Sequence, residues 1–402
     1  MSEAIYFIRS PIFNAKLEVI ACELFFARST QADSHTEIVE KDITMHEIVD
    51  CFADNQLQEL VDQETTLLPY TQDVKQVDLP FPKGQLIVEV LVDDDNEDQK
   101  ALSAIRSLNR DGYLIALNNF CFEENWQPMA RLADIIKINV SAVTNDELIK
   151  QMDALQAYQA KLCAVGIEQY EQFEYCRKIG FDYFQGPFLS KPWRINADEI
   201  PANRMVVLNL LAGLLNPEVT PEEIVDLLSN DPRLAYKLLR IINSAAFTLT
   251  REIESLLEAV IMLGLNRLRS WASLIALSTI EDKPHELMAV ALVRAKMCEL
   301  IGEALDQRNI DAYFTVGLFS VLDAMLDKPI TEIINLLPLS QTVKSALIER
   351  SGMLGLVLYN VIAYEQGQWH DIQFTGLSAN EYRRVYLDSL LWSKEIFKTL
   401  DE

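Results

Sequence analysis

The chain has 402 residues, half of them hydrophobic, so it is long enough to bury the cores of two domains. Its formal charge at pH 7 is −25, from 60 acidic and 35 basic residues. Binding to a nucleic-acid backbone or an anionic membrane depends on clustered Lys and Arg. The composition therefore argues against nucleic acids and membrane surfaces as partners.

The distribution of cysteine and apolar residues indicates the compartment. The six cysteines are dispersed and form no C-x-x-C motif, so we expect buried, reduced thiols rather than disulfides or a zinc site. The first residues lack a basic segment followed by an apolar one, which predicts a protein that is not exported. No window approaches the ~18 uninterrupted apolar residues of a membrane helix. These features predict a cytoplasmic location.

Up to about residue 195, short runs rich in Val, Ile and Phe alternate with longer amphipathic stretches. The strand-like runs are 5–8, 17–26, 86–91, 113–117, 135–140 and 161–167. The helical stretches are 45–63, 98–109, 145–159 and 169–179. This alternation predicts parallel strands joined by crossover helices. We therefore expect an α/β barrel over residues 1–195, with reactive groups at the carboxyl ends of its strands.

From residue 203 the strand signals disappear. Thr220 and Glu223 form a capping-box pattern with Pro221 at the first helical position, and Asp231 and Pro232 open the next helix in the same way. Apolar residues then recur at helical spacing. We expect an all-helical bundle over residues 203–402, joined to the barrel by a linker at 196–202.

The first half contains several short motifs. They are R-S-P-I-F at 9–13, C-E-L-F at 22–25, L-I-V-E-V at 86–90, I-K-I-N at 136–139 and Q-G-P-F-L-S-K-P at 185–192. In this order they resemble the EAL domain, a family that hydrolyses cyclic di-GMP on a modified TIM-like barrel. The resemblance implies that Glu23 and Glu89 match metal-binding glutamates. It also places Lys137 and Gln185 in the site.

The chain departs from the family where charged groups are expected. Asn118 and Asn119 stand in place of paired aspartates, and Asn139 replaces a further aspartate. Val165 replaces a glutamate. A neutral amide cannot supply the charge that a paired-metal site needs. We therefore predict a degenerate site with no catalytic residue, no bound metal and no cofactor.

The remnant of this site has three interpretations. Glu23, Glu89, Lys137 and Gln185 form either a buried charge cluster with a structural role, a ligand pocket, or a residual phosphodiesterase site. The short spacing between Glu23 and Glu89 also favours a barrel in which one strand or helix unit is reduced.

The second half contains a longer and more specific set of motifs. Residues 230–247, followed by 253–255 and 259–264, resemble an HDOD domain, a helical relative of the HD phosphohydrolases that lacks their metal site. Its motif residues here are Asp231, Pro232, Asn243, Ser244 and Gly264. The polar side chains at the end of this helix either hydrogen-bond the backbone or contact a ligand, and the sequence leaves both alternatives open.

The two resemblances together predict an EAL-HDOD bacterial signalling protein. From the missing charges we predict a non-enzymatic adaptor in cyclic di-GMP-linked control of motility or biofilm formation, acting by protein–protein interaction. Two alternatives are a sensor that binds cyclic di-GMP without hydrolysis and a residual phosphodiesterase. The lost charges count against cyclic di-GMP as a ligand. The protein partner is unidentified, and homodimerisation is an expectation from the family alone.

Overall fold

The structure is a computed structural model, and it describes residues 4–32, 35–39, 43–50, 65–71, 83–91, 98–118, 127–193, 200–244, 251–373 and 376–401. It divides into two compact units, one formed by residues 1–189 with 365–370 and the other by 190–364 with 371–402. Most of the predicted linker at 196–202 falls on residues 194–199, which lie outside the described residues. The domain boundaries stay a prediction.

The described residues of the first unit form nine strands. They are β1 Ala4–Asn14, β2 Val19–Ala32, β3 His35–Val39, β4 Thr66–Pro69, β5 Leu86–Leu91, β6 Leu114–Asn118, β7 Ile135–Asn139, β8 Lys161–Val165 and β9 Tyr183–Gln185. Their order is β1-β9-β8-β7-β6-β5-β4-β2-β3, and β1 also pairs with β2, so all strands except β3 form a closed ring. β1 is antiparallel to both of its neighbours, whereas the pairs from β2 through β4 to β9 are parallel. The predicted modified TIM-like barrel is confirmed.

The helices among the described residues of this unit follow the βα alternation. They are α1 Met45–Asp50, α2 Asp98–Arg110, α3 Gln127–Ala130, α4 Asn145–Leu155 and α5 Tyr170–Ile179. α4 begins with a capping box between Thr144 and Glu147. α5 ends at Gly180, whose φ of 104° is the left-handed conformation that favours glycine at this position.

The interior of the barrel is built in layers along the strands. Ala21, Ile87, Ile135 and Cys163 belong to one buried apolar cluster near the amino ends of β2, β5, β7 and β8. Successive side chains of a strand point to opposite faces, so a residue two positions further along a strand faces the barrel interior again. The next interior layer, toward the carboxyl ends of the strands, therefore contains the predicted site residues of β2, β5 and β7.

The second unit is all-helical in its described residues, which confirms the predicted bundle. Its helices are α6 Ala202–Leu215, α7 Pro221–Ser229, α8 Pro232–Ile242, α9 Leu256–Leu263, α10 Leu265–Ser278, α11 His285–Ala304, α12 Ile310–Phe319, α13 Leu322–Leu326, α14 Ile330–Leu336, α15 Gln341–Glu349, α16 Gly352–Glu365 and α17 Ala379–Asp401. The predicted capping box of Thr220 and Glu223 is present, with Pro221 in the first turn of α7.

One stretch of the second unit is apolar enough to qualify as a membrane span by length and composition. It covers residues 341–365 with a mean hydropathy of 1.3 in its most apolar window, of which 44% is buried inside the protein. The stretch is not one continuous helix, because Arg350 adopts a φ of 54° and Gly352 a φ of 70° between α15 and α16. Interruption and burial are typical of core helices in a soluble domain.

Candidate functional site

Three charged side chains meet inside the barrel. The Lys137 Nζ donates hydrogen bonds to the Glu23 Oε2 and the Glu89 Oε1, each at 2.6 Å. Lys137 is fully buried, and Glu23 and Glu89 are 1% and 5% exposed. Charges are rarely buried unless they are paired, so each side chain depends on the others for its place in the interior.

Gln185 extends this cluster to the first strand. Its Nε2 donates to the Glu23 Oε2 at 2.5 Å and to the Ser10 Oγ at 3.0 Å. Ser10 is the antiparallel partner of Glu23 in the β1–β2 ladder, which places both side chains on the same face. The Glu23 Oε1 and the Gln185 Oε1 are buried and accept no hydrogen bond from the described residues. Two acceptor atoms in the cluster are therefore open to a donor from a ligand or a water.

Burial and charge set the protonation of the cluster. Burial raises the pKa of Glu89 to about 8, and the negative charge of Glu23 adds to this, while Lys137 opposes it. Burial alone would lower the pKa of Lys137, but the carboxylates of Glu23 and Glu89 raise it above its ordinary value. Lys137 therefore stays cationic at neutral pH, and Glu89 is the group of the cluster that exchanges a proton near pH 8.

Beyond the cluster, the last residues of the strands form the rim of the barrel's carboxyl end, which we call the mouth. Asn118 ends β6 with a half-buried side chain, Asn139 ends β7 with an exposed one, and Val165 ends β8. The Asn139 Oδ1 accepts a hydrogen bond from the Ser141 backbone N–H at 3.1 Å, so this amide caps the turn after β7. The structure thus places these substituted positions around the mouth. Asn119 lies outside the described residues.

The family resemblance implies a divalent-metal site, and the described donors do not fit a paired one. Within the described part of the chain, no group of three or more His, Cys, Asp and Glu side chains is arranged to hold a metal ion. The ammonium group of Lys137 lies between the two carboxylates, 2.6 Å from each, where it already neutralises charge that would attract a cation. We therefore derive no step that depends on paired metal ions.

Two neighbours of the cluster were not predicted from the sequence. Ser10 was not predicted as a site residue, although it lies two positions before Ile12 of the apolar layer and so shares its face. Phe25 follows Glu23 by two positions, is 38% exposed, and has its ring centroid 6.0 Å from the Lys137 Nζ. Period-two alternation along β1 and β2 was the signal that could have identified both.

The HDOD motif residues occupy helix ends in the second unit. The Asp231 side chain accepts from the Arg233 N–H at 2.9 Å and caps α8, with Pro232 as its first residue. The Asn243 amide exchanges two hydrogen bonds of 2.8 Å with the backbone of Ile253. The Ser244 Oγ donates to the Ile241 carbonyl, and Gly264, with a φ of 82°, separates α9 from α10. All of these contacts are made within the unit itself.

Comparison with known families matches both halves of the chain. Residues 56–192 match the EAL domain, and residues 200–325 match the HDOD domain. The chain is an EAL-HDOD protein. The EAL match covers the barrel from β4 to β9, and therefore includes Glu89, Lys137 and Gln185.

Relatives of this EAL-HDOD protein extend over nearly its full length. The cyclic di-GMP phosphodiesterase CdgJ of Vibrio cholerae is 29% identical over 97% of this chain and 93% of its own. The uncharacterized protein YuxH of Bacillus subtilis is 26% identical over 96% of this chain and 98% of its own. Among solved structures, the EAL enzyme Bd1971 with bound cAMP and cyclic di-GMP is 13% identical, with a TM-score of 0.36 over 46% of this chain and 60% of that one.

The match to CdgJ contradicts two of the predictions made from the sequence. The prediction of a non-enzymatic adaptor is wrong, and so is the prediction that the protein is not an enzyme, because a relative aligned over 97% of the chain is a phosphodiesterase. Both predictions depended on the acidic residues that are missing from the motif positions. The structure shows why counting them was insufficient: the retained groups are assembled in one cluster with a titratable carboxylate and open acceptor atoms. A degenerate site, or a pseudoenzyme, has no support.

Proposed function

We propose that this EAL-HDOD protein is a cyclic di-GMP phosphodiesterase that acts at the carboxyl end of its barrel. The supporting observation is the buried cluster of Lys137, Glu23 and Glu89, in a chain related over 97% of its length to a phosphodiesterase of that name. The cluster combines a permanent cation with a carboxyl group whose pKa lies near 8. Phosphodiester hydrolysis uses both kinds of group.

In this mechanism the substrate phosphate enters the mouth above the cluster. Lys137 provides positive charge that offsets the charge developing on the phosphoryl oxygens as water attacks phosphorus. Glu89 in its ionised form accepts a proton from the attacking water, because its pKa lies close to neutral pH. The bond from phosphorus to one ribose oxygen breaks, that oxygen takes the proton that Glu89 received from the water, and a linear dinucleotide with a terminal phosphate monoester is released.

Gln185 and Ser10 act as positioning residues. The Gln185 Nε2 holds the Glu23 Oε2, and Glu23 in turn holds the Lys137 ammonium group. This chain of hydrogen bonds fixes the cation at the centre of the barrel. We further propose a cytoplasmic location and a role in cyclic di-GMP-linked regulation, with protein partners and homodimerisation as secondary proposals.

The experiment is incubation of the purified full chain with cyclic di-GMP, with Mg²⁺, with Mn²⁺ and with a chelator, followed by chromatography of the nucleotides. We expect a linear dinucleotide from the wild type. We expect Glu23→Ala to lower the rate about 100-fold or more, because it removes a buried partner of the only lysine in the cluster. The matched control is Glu171→Ala, which removes an exposed glutamate at the start of α5.

Binding is measured on the same samples by calorimetry. Product in both the wild type and Glu23→Ala would indicate a contaminating enzyme and overturn the proposal. Heat of binding without product would contradict hydrolysis and leave a sensor. Absence of both binding and product would contradict cyclic di-GMP as the ligand.

A further inference from the structure

A cavity lies at the amino end of the barrel strands, away from the charge cluster. Its volume is about 600 Å³, which is within the range of small-molecule sites. Leu114, Ile135, Lys161 and Tyr183 line it, and each is the first residue of its strand. The cluster side chains lie further along the same barrel, so the cavity is a separate site.

The floor of the cavity is apolar and incompletely covered. Ala21, Ile87 and Ile135 are buried members of the barrel core cluster. Ile20 and Leu114 pack against that cluster but are only partly buried. A partly exposed aliphatic surface in a concave site is stabilised when an apolar molecule covers it.

Among the described residues that line the cavity, Arg131 is a cation without a salt bridge. The Lys161 Nζ is 2.7 Å from the Asp182 Oδ1, which offsets its charge. The Asp134 Oδ2 accepts from the Ile115 N–H, and this carboxylate also lines the cavity. Arg131 is exposed, and within the described residues its guanidinium group makes no hydrogen bond or ion pair. An unpaired guanidinium in a cavity with an apolar floor favours an anion whose charged group reaches Arg131.

We propose that this cavity is a second ligand site, which takes a small amphipathic anion: an apolar body on the floor of Ile20 and Leu114, with a carboxylate or phosphate group on Arg131. Tyr183 is half-buried at the same floor and offers an aromatic face to the body of the ligand. The site is independent of the proposed hydrolysis, since none of these residues belongs to the cluster.

The test uses two fluorescent probes of similar shape, the anion anilinonaphthalene sulfonate and the neutral phenylnaphthylamine. Each is titrated into the wild-type full chain, Arg131→Gln and the control Arg106→Gln. Arg106 is an exposed arginine of α2 in the same unit and does not line the cavity. We expect Arg131→Gln to weaken binding of the anion roughly fivefold and to leave the neutral probe unchanged, since only the anion loses an ion pair. Arg106→Gln should change neither affinity.

A second variant locates the apolar body of the probe. Ile20→Trp adds bulk to the floor, so we expect it to weaken both probes, whereas Arg131→Gln weakens only one. Equal affinity of the anion for the wild type and Arg131→Gln would overturn the proposal. Equal weakening of both probes by Arg131→Gln would also overturn it, because it would show a general structural effect rather than recognition of charge.

Discussion

Glu89 is the residue whose protonation makes the stability of the barrel depend on pH. Its pKa is raised from 4.5 to about 8, first by burial and then by the charge of Glu23. Between these two values the folded protein keeps a proton that the unfolded chain has lost. The contribution of the protonated Glu89 to stability is therefore fully present below pH 4.5. It declines as the pH rises above 4.5 and is lost once the pH has risen through 8.

Glu89→Gln should remove this decline, because an amide has no proton to lose. We expect the free energy of unfolding of the variant, relative to the wild type, to improve by up to about 1.4 kcal/mol per pH unit within the window. Thermal unfolding at pH 5, 6, 7 and 8 in the presence of a chelator measures this. Glu171→Gln, an exposed control, should leave the slope unchanged. If the free energies of unfolding of Glu89→Gln and the wild type differed by the same amount at all pH values, Glu89 would be ionised throughout.

At the level of elements, the loop after β8 is held by a close approach to the backbone that follows β9. Gly186 has a φ of 149°, and a Cβ at this position would lie 2.1 Å from the Ile167 carbonyl oxygen. The preceding residue is Gln185, which holds Glu23. The loop and the cluster are therefore coupled through one peptide unit.

Gly186→Ala should cost more than about 3 kcal/mol, because it adds backbone strain and displaces the β8–β9 loop. It should also lower the rate of cyclic di-GMP hydrolysis by moving Gln185. The control is Gly112→Ala, where φ is 88° but nothing lies within 4 Å of the added Cβ, so only conformational strain of about 1–2 kcal/mol is expected. Equal effects of the two substitutions on thermal unfolding would contradict the close approach.

The end of α8 is a second element with a testable role. The Asn243 side chain both donates to and accepts from the Ile253 backbone, and Ile253 is buried. Asn243→Ala leaves two backbone groups without these partners, so we expect a loss of about 1–3 kcal/mol in the stability of the helical unit. Ser244→Ala removes one hydrogen bond and should cost about 0.5–1.5 kcal/mol. Normal stability in Asn243→Ala would favour the alternative that this side chain serves a ligand.

The elements that could be predicted were those with a strong periodic pattern. Leu86–Leu91 was predicted at its observed bounds, and the predicted helical stretch 169–179 is observed as Tyr170–Ile179. Thr66–Pro69 and Tyr183–Gln185 were missed, because strands of four and three residues are too short to show alternation. Such strands form because their neighbours in a closed ring supply their hydrogen bonds.

The composition of the candidate site was accessible from the sequence, but its chemistry was not. The order of the motifs predicted four site residues, and hydrogen bonds join all four in the structure: Glu23, Glu89, Lys137 and Gln185. The raised pKa of Glu89 arises from burial and from the distance to Glu23, which no local pattern contains. For the same reason a count of replaced acids could not decide whether the chain is an enzyme.

At the scale of the whole molecule, the net charge opposes the approach of the proposed substrate. The chain carries −25 at pH 7, and each phosphodiester group of cyclic di-GMP is also negative. Long-range repulsion slows association and is screened by salt over about 10 Å at 0.1 M ionic strength. Once the phosphate enters the barrel, its interactions with the cluster are screened much less by salt, because Lys137, Glu23 and Glu89 are buried.

The rate of association should therefore rise with ionic strength, whereas a protein that attracts phosphates through a basic surface shows a fall. We expect an increase of about twofold or more between roughly 20 mM and 200 mM salt, measured by stopped-flow binding of a fluorescent cyclic di-GMP analogue. The dissociation rate should change less, since it reports contacts inside the barrel. A fall in the association rate with salt would mean that a local positive field at the mouth dominates the charge of the whole chain. The first variant to measure would then be Arg28→Gln, which removes a partly buried arginine of β2.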